Sequence, residues 1–233
     1  MKLGWTIGAM AALLCAAAPV RAEDATSWFP GKLTGSVSLA SDYLFGGITQ
    51  TRHRPVPQGS LDWDTGTGVH LQTFVSRVYF NDKREAEVEL QGRYHAEVGN
   101  FSTDAAFIYF WYAGGPPSAN HDFWVLYSQA AYDFGFARVA STAYFPDTFG
   151  RIRKSAYFIT SVKVPVGPKF DIRVDSGHFI RPGRLKNVTD WNVGGTWKIP
   201  GWVDLDLRYY GSDAGFMGAL ADNRLIAKVT RNF

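Results

Sequence analysis

The stretch 85–98, EAEVELQGRYHAEV, sets the terms for the whole chain. Glu85, Glu87, Glu89, Gln91, Arg93, His95 and Glu97 alternate with Ala86, Val88, Leu90, Gly92, Tyr94, Ala96 and Val98. Successive side chains on a strand point to opposite faces, so this run has one charged face and one largely apolar face. A tilted strand crosses a bilayer with roughly 9–11 residues, and this run is long enough. In a soluble sandwich the charged face is wet and the apolar face is core. In a membrane barrel the apolar face meets lipid and the charges line an interior. One strand fits both, so the rest of the chain has to decide.

The chain opens with Met1 and Lys2, an apolar run over 3–20, and the small-residue pattern Val20-Arg21-Ala22. That pattern predicts a secretory signal peptide, 1–22, cut after Ala22, with 23–233 as one domain. The run reaches the roughly 18-residue threshold for a membrane helix, but the cleavage pattern and the strand-rich remainder favour a leader. Cys15 is the single cysteine and lies inside the leader. Leu14 before it is wrong for a lipid-anchored cysteine, which wants Gly or Ala. A mature chain without cysteine has no disulfide, thiolate metal site or Cys nucleophile. The net charge of +3 is too small to argue for nucleic acid.

Further alternating segments are read at 33–45, 58–64, 69–78, 101–113, 122–134, 136–145, 155–164, 169–180, 189–199, 202–210 and 224–233. Together they predict about twelve strands. Their connections alternate in length. Tight turns fall at 65–68, 99–100, Gly135, 167–168 and 200–201. Longer and often basic loops fall at 46–57, 80–84, 114–121, 146–154, 181–187 and 211–221. Short turns on one rim and long loops on the other, with an even count, predict an all-β fold: a transmembrane antiparallel up-and-down β-barrel.

The aromatic residues, 15% of the chain, test this. With alternating strand directions, Trp63, Phe101, Phe134, Phe136, Phe170, Trp197, Trp202 and Phe233 fall on the short-turn rim. Tyr43, Phe45, Tyr79, Phe80, Trp111, Tyr112, Phe123, Trp124, Tyr144, Phe145, Tyr157, Phe158, Phe179, Trp191, Tyr209 and Tyr210 fall on the long-loop rim. Two belts suit amphipathic rings at two lipid–water boundaries, whereas a soluble core would gather rings in mid-strand. In the last strand Leu225, Ala227, Val229 and the terminal Phe233 share a face. A terminal Phe on such a strand resembles the signal read by the outer-membrane assembly machinery. Arg231 interrupts that face and can snorkel to water near a rim.

The face assigned to the lumen carries Asp42, Asp62, Asp64, Glu87, Glu89, Glu97, Asp171, Asp175, Asp190, Asp204 and Asp206, with Arg93, Arg173, Lys198, Arg208 and Lys228. A barrel of eight strands is nearly filled by side chains and one of sixteen leaves a wide channel, so twelve admits a narrow pore or a plugged interior. Two readings stand for the charges. They wet and bias a channel, or they pair and stabilise the wall. Surplus acids would favour cations at mid-depth. The basic long loops would draw anions to the mouth or bind lipopolysaccharide phosphates.

Other chemistry has little support. Ser176 and His178 share a strand face near the long-loop rim, as a lipid-modifying enzyme would need, but nothing orients a base there. His53, His70, His95 and His121 are scattered, without a metal-binding spacing. Gly66-Thr67-Gly68 lacks a phosphate-loop context.

The run Ser41-Asp42-Tyr43-Leu44-Phe45-Gly46-Gly47-Ile48-Thr49-Gln50-Thr51 is similar to the S-D-Y-x-F-R-G-I-S-Q-T opening of the TorF-type porins, small outer-membrane barrels of proteobacteria. Residues 55–62, 87–90 with Gly99-Asn100-Phe101, 109–114 and Thr189-Asp190-Trp191 resemble further family segments in the same order. The chain departs at Gly46, where the family usually carries Arg. The resemblance implies a barrel in the outer membrane of a Gram-negative bacterium. The expected function is a porin-like channel for passive diffusion of small hydrophilic solutes or ions, with no cofactor and no reaction. The expected partners are outer-membrane lipid, lipopolysaccharide, the assembly machinery and small solutes, and no nucleic acid. The alternatives are a non-conducting structural or adhesive barrel and a lipid-modifying enzyme. The sequence does not give the oligomeric state.

Overall fold

Alternating runs separated by tight glycine turns favour antiparallel neighbours, and that is what forms. The computed structural model describes residues 30–80, 83–114, 122–147, 155–181, 183 and 185–233. The expected leader, 1–22, lies outside them. The strands are β1 (Lys32–Ala40), β2 (Leu44–Phe45), β3 (Ile48–Thr49), β4 (Val56–Asp64), β5 (Val69–Phe80), β6 (Lys83–Val98) and β7 (Phe101–Ala113). They continue as β8 (Phe123–Asp133), β9 (Arg138–Asp147), β10 (Ala156–Pro165), β11 (Phe170–Ile180), β12 (Val188–Lys198), β13 (Asp204–Ser212) and β14 (Arg224–Asn232).

Twelve of these strands close an antiparallel barrel in the order β1-β14-β13-β12-β11-β10-β9-β8-β7-β6-β5-β4, and β2 and β3 form a separate two-stranded hairpin. The seam between β1 and β14 runs from Ser36 opposite Asn232 to Ala40 opposite Lys228. The Gly35 N–H donates to the Phe233 carbonyl at 2.8 Å, and the Phe233 N–H donates back at 3.0 Å. A Cβ on Gly35 would lie 2.6 Å from the Phe233 ring, so the glycine makes room for the terminal side chain.

The faces divide as the alternation requires. Along β7 the residues from Phe101 to Trp111 alternate strictly, with Ser102, Asp104, Ala106, Ile108 and Phe110 buried. Leu90 and Leu207 are each 51% exposed, while Glu87 is 2% exposed. Two stacked sheets would bury those leucines, so the sandwich reading is excluded. The exterior is a continuous apolar wall far beyond what a soluble monomer shows.

Three expectations need correction. The first strand was expected to run to residue 45, but β1 ends at Ala40. The Ser41 N–H then donates to the Ala227 carbonyl, and the chain leaves the wall. It turns through Gly46 (φ 57°) and Gly47 (φ 73°), which join β2 to β3. A two-residue hairpin turn of type I′ needs positive φ at both central positions, which glycine supplies at no steric cost. The loop expected at 80–84 is also shorter. β5 and β6 pair out to Phe80 opposite Lys83, leaving only 81–82, outside the described residues.

The third correction concerns the belts. On the short-turn rim Phe101, Phe134, Phe136, Phe170, Trp197, Trp202 and Phe233 are exposed on the exterior. On the long-loop rim only part of the expected set faces out, including Trp111, Phe145, Phe158, Trp191 and Tyr209. Tyr43, Phe45, Tyr112, Phe123, Tyr144, Tyr157, Phe179 and Tyr210 lie on the inner side instead, and Tyr79 is covered by the Arg54 guanidinium, 4.7 Å from its ring. Position along the strand was readable, but ring side follows parity, and neighbouring rings such as Trp111 and Tyr112 go opposite ways.

Candidate functional site: the barrel interior

The interior has two differently built halves. Near the short turns, charges pair within the wall. The strand register sets Asp62 opposite Gln72 and His70 opposite Arg93. Asp62 accepts from His70 Nδ1 at 2.9 Å, from Arg93 Nη2 at 3.4 Å and from Gln72. Arg93 Nη1 donates to Asp104 Oδ1 at 3.1 Å, which also meets His95 Nδ1 at 2.9 Å. Glu97 lies 3.1 Å from His95 Nε2. Asp64 caps its turn by accepting the Gly66 N–H.

The opposite wall repeats the pattern. Asp171 sits between Lys163 at 3.2 Å and Lys198 at 2.9 Å. Arg173 donates to Asp175 at 2.7 Å and to Ser161 at 3.1 Å. Arg208 donates to Asp206 at 2.8 Å and lies 3.8 Å from Asp175. Asp204 accepts from Asn232. Lys228 stands on the same inner face, opposite Asp206 in register.

The half toward the long loops is filled by the inturned hairpin. Asp42 is its hub. Its Oδ1 accepts from Thr49 and Thr51 Oγ1, each at 2.6 Å, and from the Tyr43 N–H at 2.8 Å. Its Oδ2 accepts from Arg224 Nη1 at 2.8 Å and meets His53 Nδ1 at 3.3 Å. Burial opposes ionisation of Asp42, but the bonds from Thr49, Thr51, Arg224 and the Tyr43 N–H outweigh it and hold its carboxyl below the ordinary value. A Cβ on Gly47 would lie 2.7 Å from Ser212 Cβ and 2.8 Å from Asp190 Cβ, so the tip reaches the β12–β13 wall. On other sides, the Tyr43 hydroxyl donates to Glu87 at 3.0 Å, and Phe45 packs 5.4 Å from Tyr157 and 6.5 Å from Phe179. Asp190 accepts from the Tyr157 hydroxyl at 2.9 Å.

Two cavities flank this crossing. One of about 260 Å³ is lined by Tyr43, Phe45, Gln72, Glu89, Gln91, Arg93, Ile108, Phe110, Tyr127 and Tyr144. The other, of about 220 Å³, shares Tyr43, Phe45, Phe110 and Tyr144, and adds Glu87, Tyr112, Phe123, Ser155, Tyr157 and Phe179 among its lining.

Sequence reading missed several members. Asp104 shares the parity of Ser102 and Tyr112, so the alternation already placed it inside. Glu85 follows the parity of Glu87. Arg224 follows the parity of Lys228, but its pairing with Asp42, 182 positions away, had no local signal. His70 and His95 looked scattered, yet their rings are 6.3 Å apart. Ser176 and His178 are exposed on the outer face, and His178 Nδ1 meets Thr189 Oγ1 at 3.0 Å. Among the described residues no cluster of His, Cys, Asp or Glu is arranged to hold a metal ion.

A closed twelve-strand barrel with an apolar exterior and a polar interior is the architecture of outer-membrane porins. The KdgM porin superposes with a TM-score of 0.60 at 10% identity, over 86% of this chain and 98% of that one. The NanC porin does so with 0.61 at 8% identity, over 85% and 98%. An outer-membrane channel from Pseudomonas putida F1 gives 0.55 at 12% identity, over 88% and 96%. At such identities the likeness is one of fold. A search of curated proteins gave no match. The chain belongs to the Gcw_chp family, described as a bacterial protein of unknown function, whose model matches residues 23–232.

Proposed function

We propose that this protein is a porin-like channel of the Gram-negative outer membrane, of the TorF type, passing small hydrophilic solutes or ions by passive diffusion. The observation that carries this reading is the inverted barrel. Its exterior is apolar, its interior holds charges and hydrogen-bonding groups, and cavities lie along that interior. A closed barrel leaves no unpaired strand edge in lipid. The leader 1–22 directs export and is removed after Ala22, and Phe233 on the last strand engages the assembly machinery. Basic residues of the long loops meet lipopolysaccharide. Asp62, Arg93, Asp171, Arg173, Asp175, Asp206, Arg208 and Lys228 line the path in its lower part, and Asp42, Glu87, Glu89 and Asp190 in its upper part. Asp64, Glu97, Lys198 and Asp204 stand at the short-turn mouth. The chain carries out no reaction.

A second reading has its own support. The hairpin from Asp42 to Thr51 crosses the interior and touches several walls, as it would in a non-conducting barrel. Planar-bilayer recording of the refolded chain separates the two. Discrete channel events support the porin, and their absence at high protein concentration assigns the barrel a structural role. The KdgM porin occurs in complex with disordered oligogalacturonate, so sugar acids belong among the solutes tested.

A further inference from the structure

Two inner-face carboxylates differ from those lower in the barrel. Glu87 accepts from the Tyr43 hydroxyl at 3.0 Å and the Tyr112 hydroxyl at 2.7 Å. Glu89 accepts from Gln91 Nε2 at 3.0 Å. Among the described residues neither has a Lys, Arg or His nitrogen within 4.0 Å. A buried carboxylate without a counter-charge is costly, so such groups normally pair. Asp62, Asp104, Asp171 and Asp175 all do.

The 220 Å³ chamber beside Glu87 has a matching character. Among the described residues no Lys, Arg or His lines it. Its walls are mostly rings. Phe110 and Phe123 stack at 4.6 Å and 7°, and Tyr112 lies 6.3 Å from Phe123. Aromatic faces are electronegative and attract ammonium groups, more so when water is excluded. A second, independent feature lies in the same wall. Ser155 is 6% exposed, and its Oγ is buried without a hydrogen-bond partner among the described residues. A buried hydroxyl left unsatisfied in a native wall calls for a partner.

We propose that this chamber is a binding site for a small organic ammonium ion. The cationic head sits against the rings and Glu87, and Ser155 takes a polar group of the guest. A uronate-type anion is disfavoured, because the described lining offers a carboxylate and no cation. As the selectivity element of the channel, the site rests on the porin reading; as a binding site it stands without conduction.

Calorimetry on the refolded full-length barrel in detergent tests it, with choline as the probe. Its neutral isostere 3,3-dimethylbutan-1-ol and galacturonate serve as comparison ligands. Choline should bind saturably and about tenfold or more tighter than the isostere, with galacturonate weaker still. Glu87→Gln should cost choline about tenfold while leaving the isostere unchanged. Equal binding of choline and the isostere, preferred binding of galacturonate, or an unaltered Glu87→Gln variant would overturn the site. If that variant does not refold, the ligand comparison on the native chain decides alone. Choline binding without current overturns the channel and keeps the site. Current without choline saturation does the reverse.

Discussion

The wall near the short turns and the Glu87–Glu89 stretch above it handle charge in opposite ways. Toward the short turns, carboxylates are paired: Asp171 holds two lysines, and Asp62 and Asp104 share Arg93. Toward the long loops, Glu87 and Glu89 meet hydroxyls, amides and rings. The lower half spends its charges on neighbouring strands, so they hold the wall together and keep it wet. Around Glu87 and Glu89 the upper half instead sets carboxyl groups among polar and aromatic side chains, with no cation within 4.0 Å among the described residues, whereas its hub Asp42 is paired with Arg224. Pairing within the wall describes the lower charges, and the proposed biasing of a channel would fall to Glu87 and Glu89.

The largest expected effect comes from erasing the difference in shape. Replacing residues 42–51 by a short Gly-Ser linker should raise single-channel conductance about threefold, because a crossing element sets the narrowest section. Unchanged conductance would mean the path avoids the hairpin. Next is a test of charge. Arg93→Ala removes the guanidinium shared by Asp62 and Asp104, and should lower stability by about 2 kcal/mol in urea titration. That lies below the cost of breaking a fully buried pair because Arg93 is 24% exposed. Glu87→Gln should instead move the reversal potential in a salt gradient toward anion permeation while shifting stability by less than about 1 kcal/mol. If the two variants behave alike, the division fails.

Acidification sharpens the comparison further. The folded value of Asp42 lies below its unfolded value. Its contribution to seating the hairpin is therefore complete above the unfolded carboxylate value of about 3.9 and is lost as pH falls through the lower folded value. Protease cleavage within 41–55 should stay slow at pH 5 and accelerate only below about pH 3.9, while Asp42→Asn should show fast cleavage throughout. The smallest effect is expected at the outer face. Ser176→Ala should leave phospholipid unhydrolysed, as with the native chain, and change stability by no more than about 0.5 kcal/mol.

The wall was largely legible in the sequence, since strand period is local: 85–98 and 202–210 declare their faces without any partner. What was not legible depends on register and distance. Asp42 and Tyr43 continue the alternation of β1, so the chain's departure at Ser41 is hidden; Gly46-Gly47 was the one local sign of a reversal. Which charges pair follows from strand stagger, as with His70 and Arg93, and no single segment encodes that.

The bond from Arg224 to Asp42 joins the first residue of the final strand to the root of the hairpin. The β1–β14 zipper that shuts the cylinder begins a few residues away. Seating of the plug and closure of the cylinder are therefore coupled through the same strand ends. Opening the seam would take Arg224 away from Asp42, so a breach in the wall would also loosen the stopper.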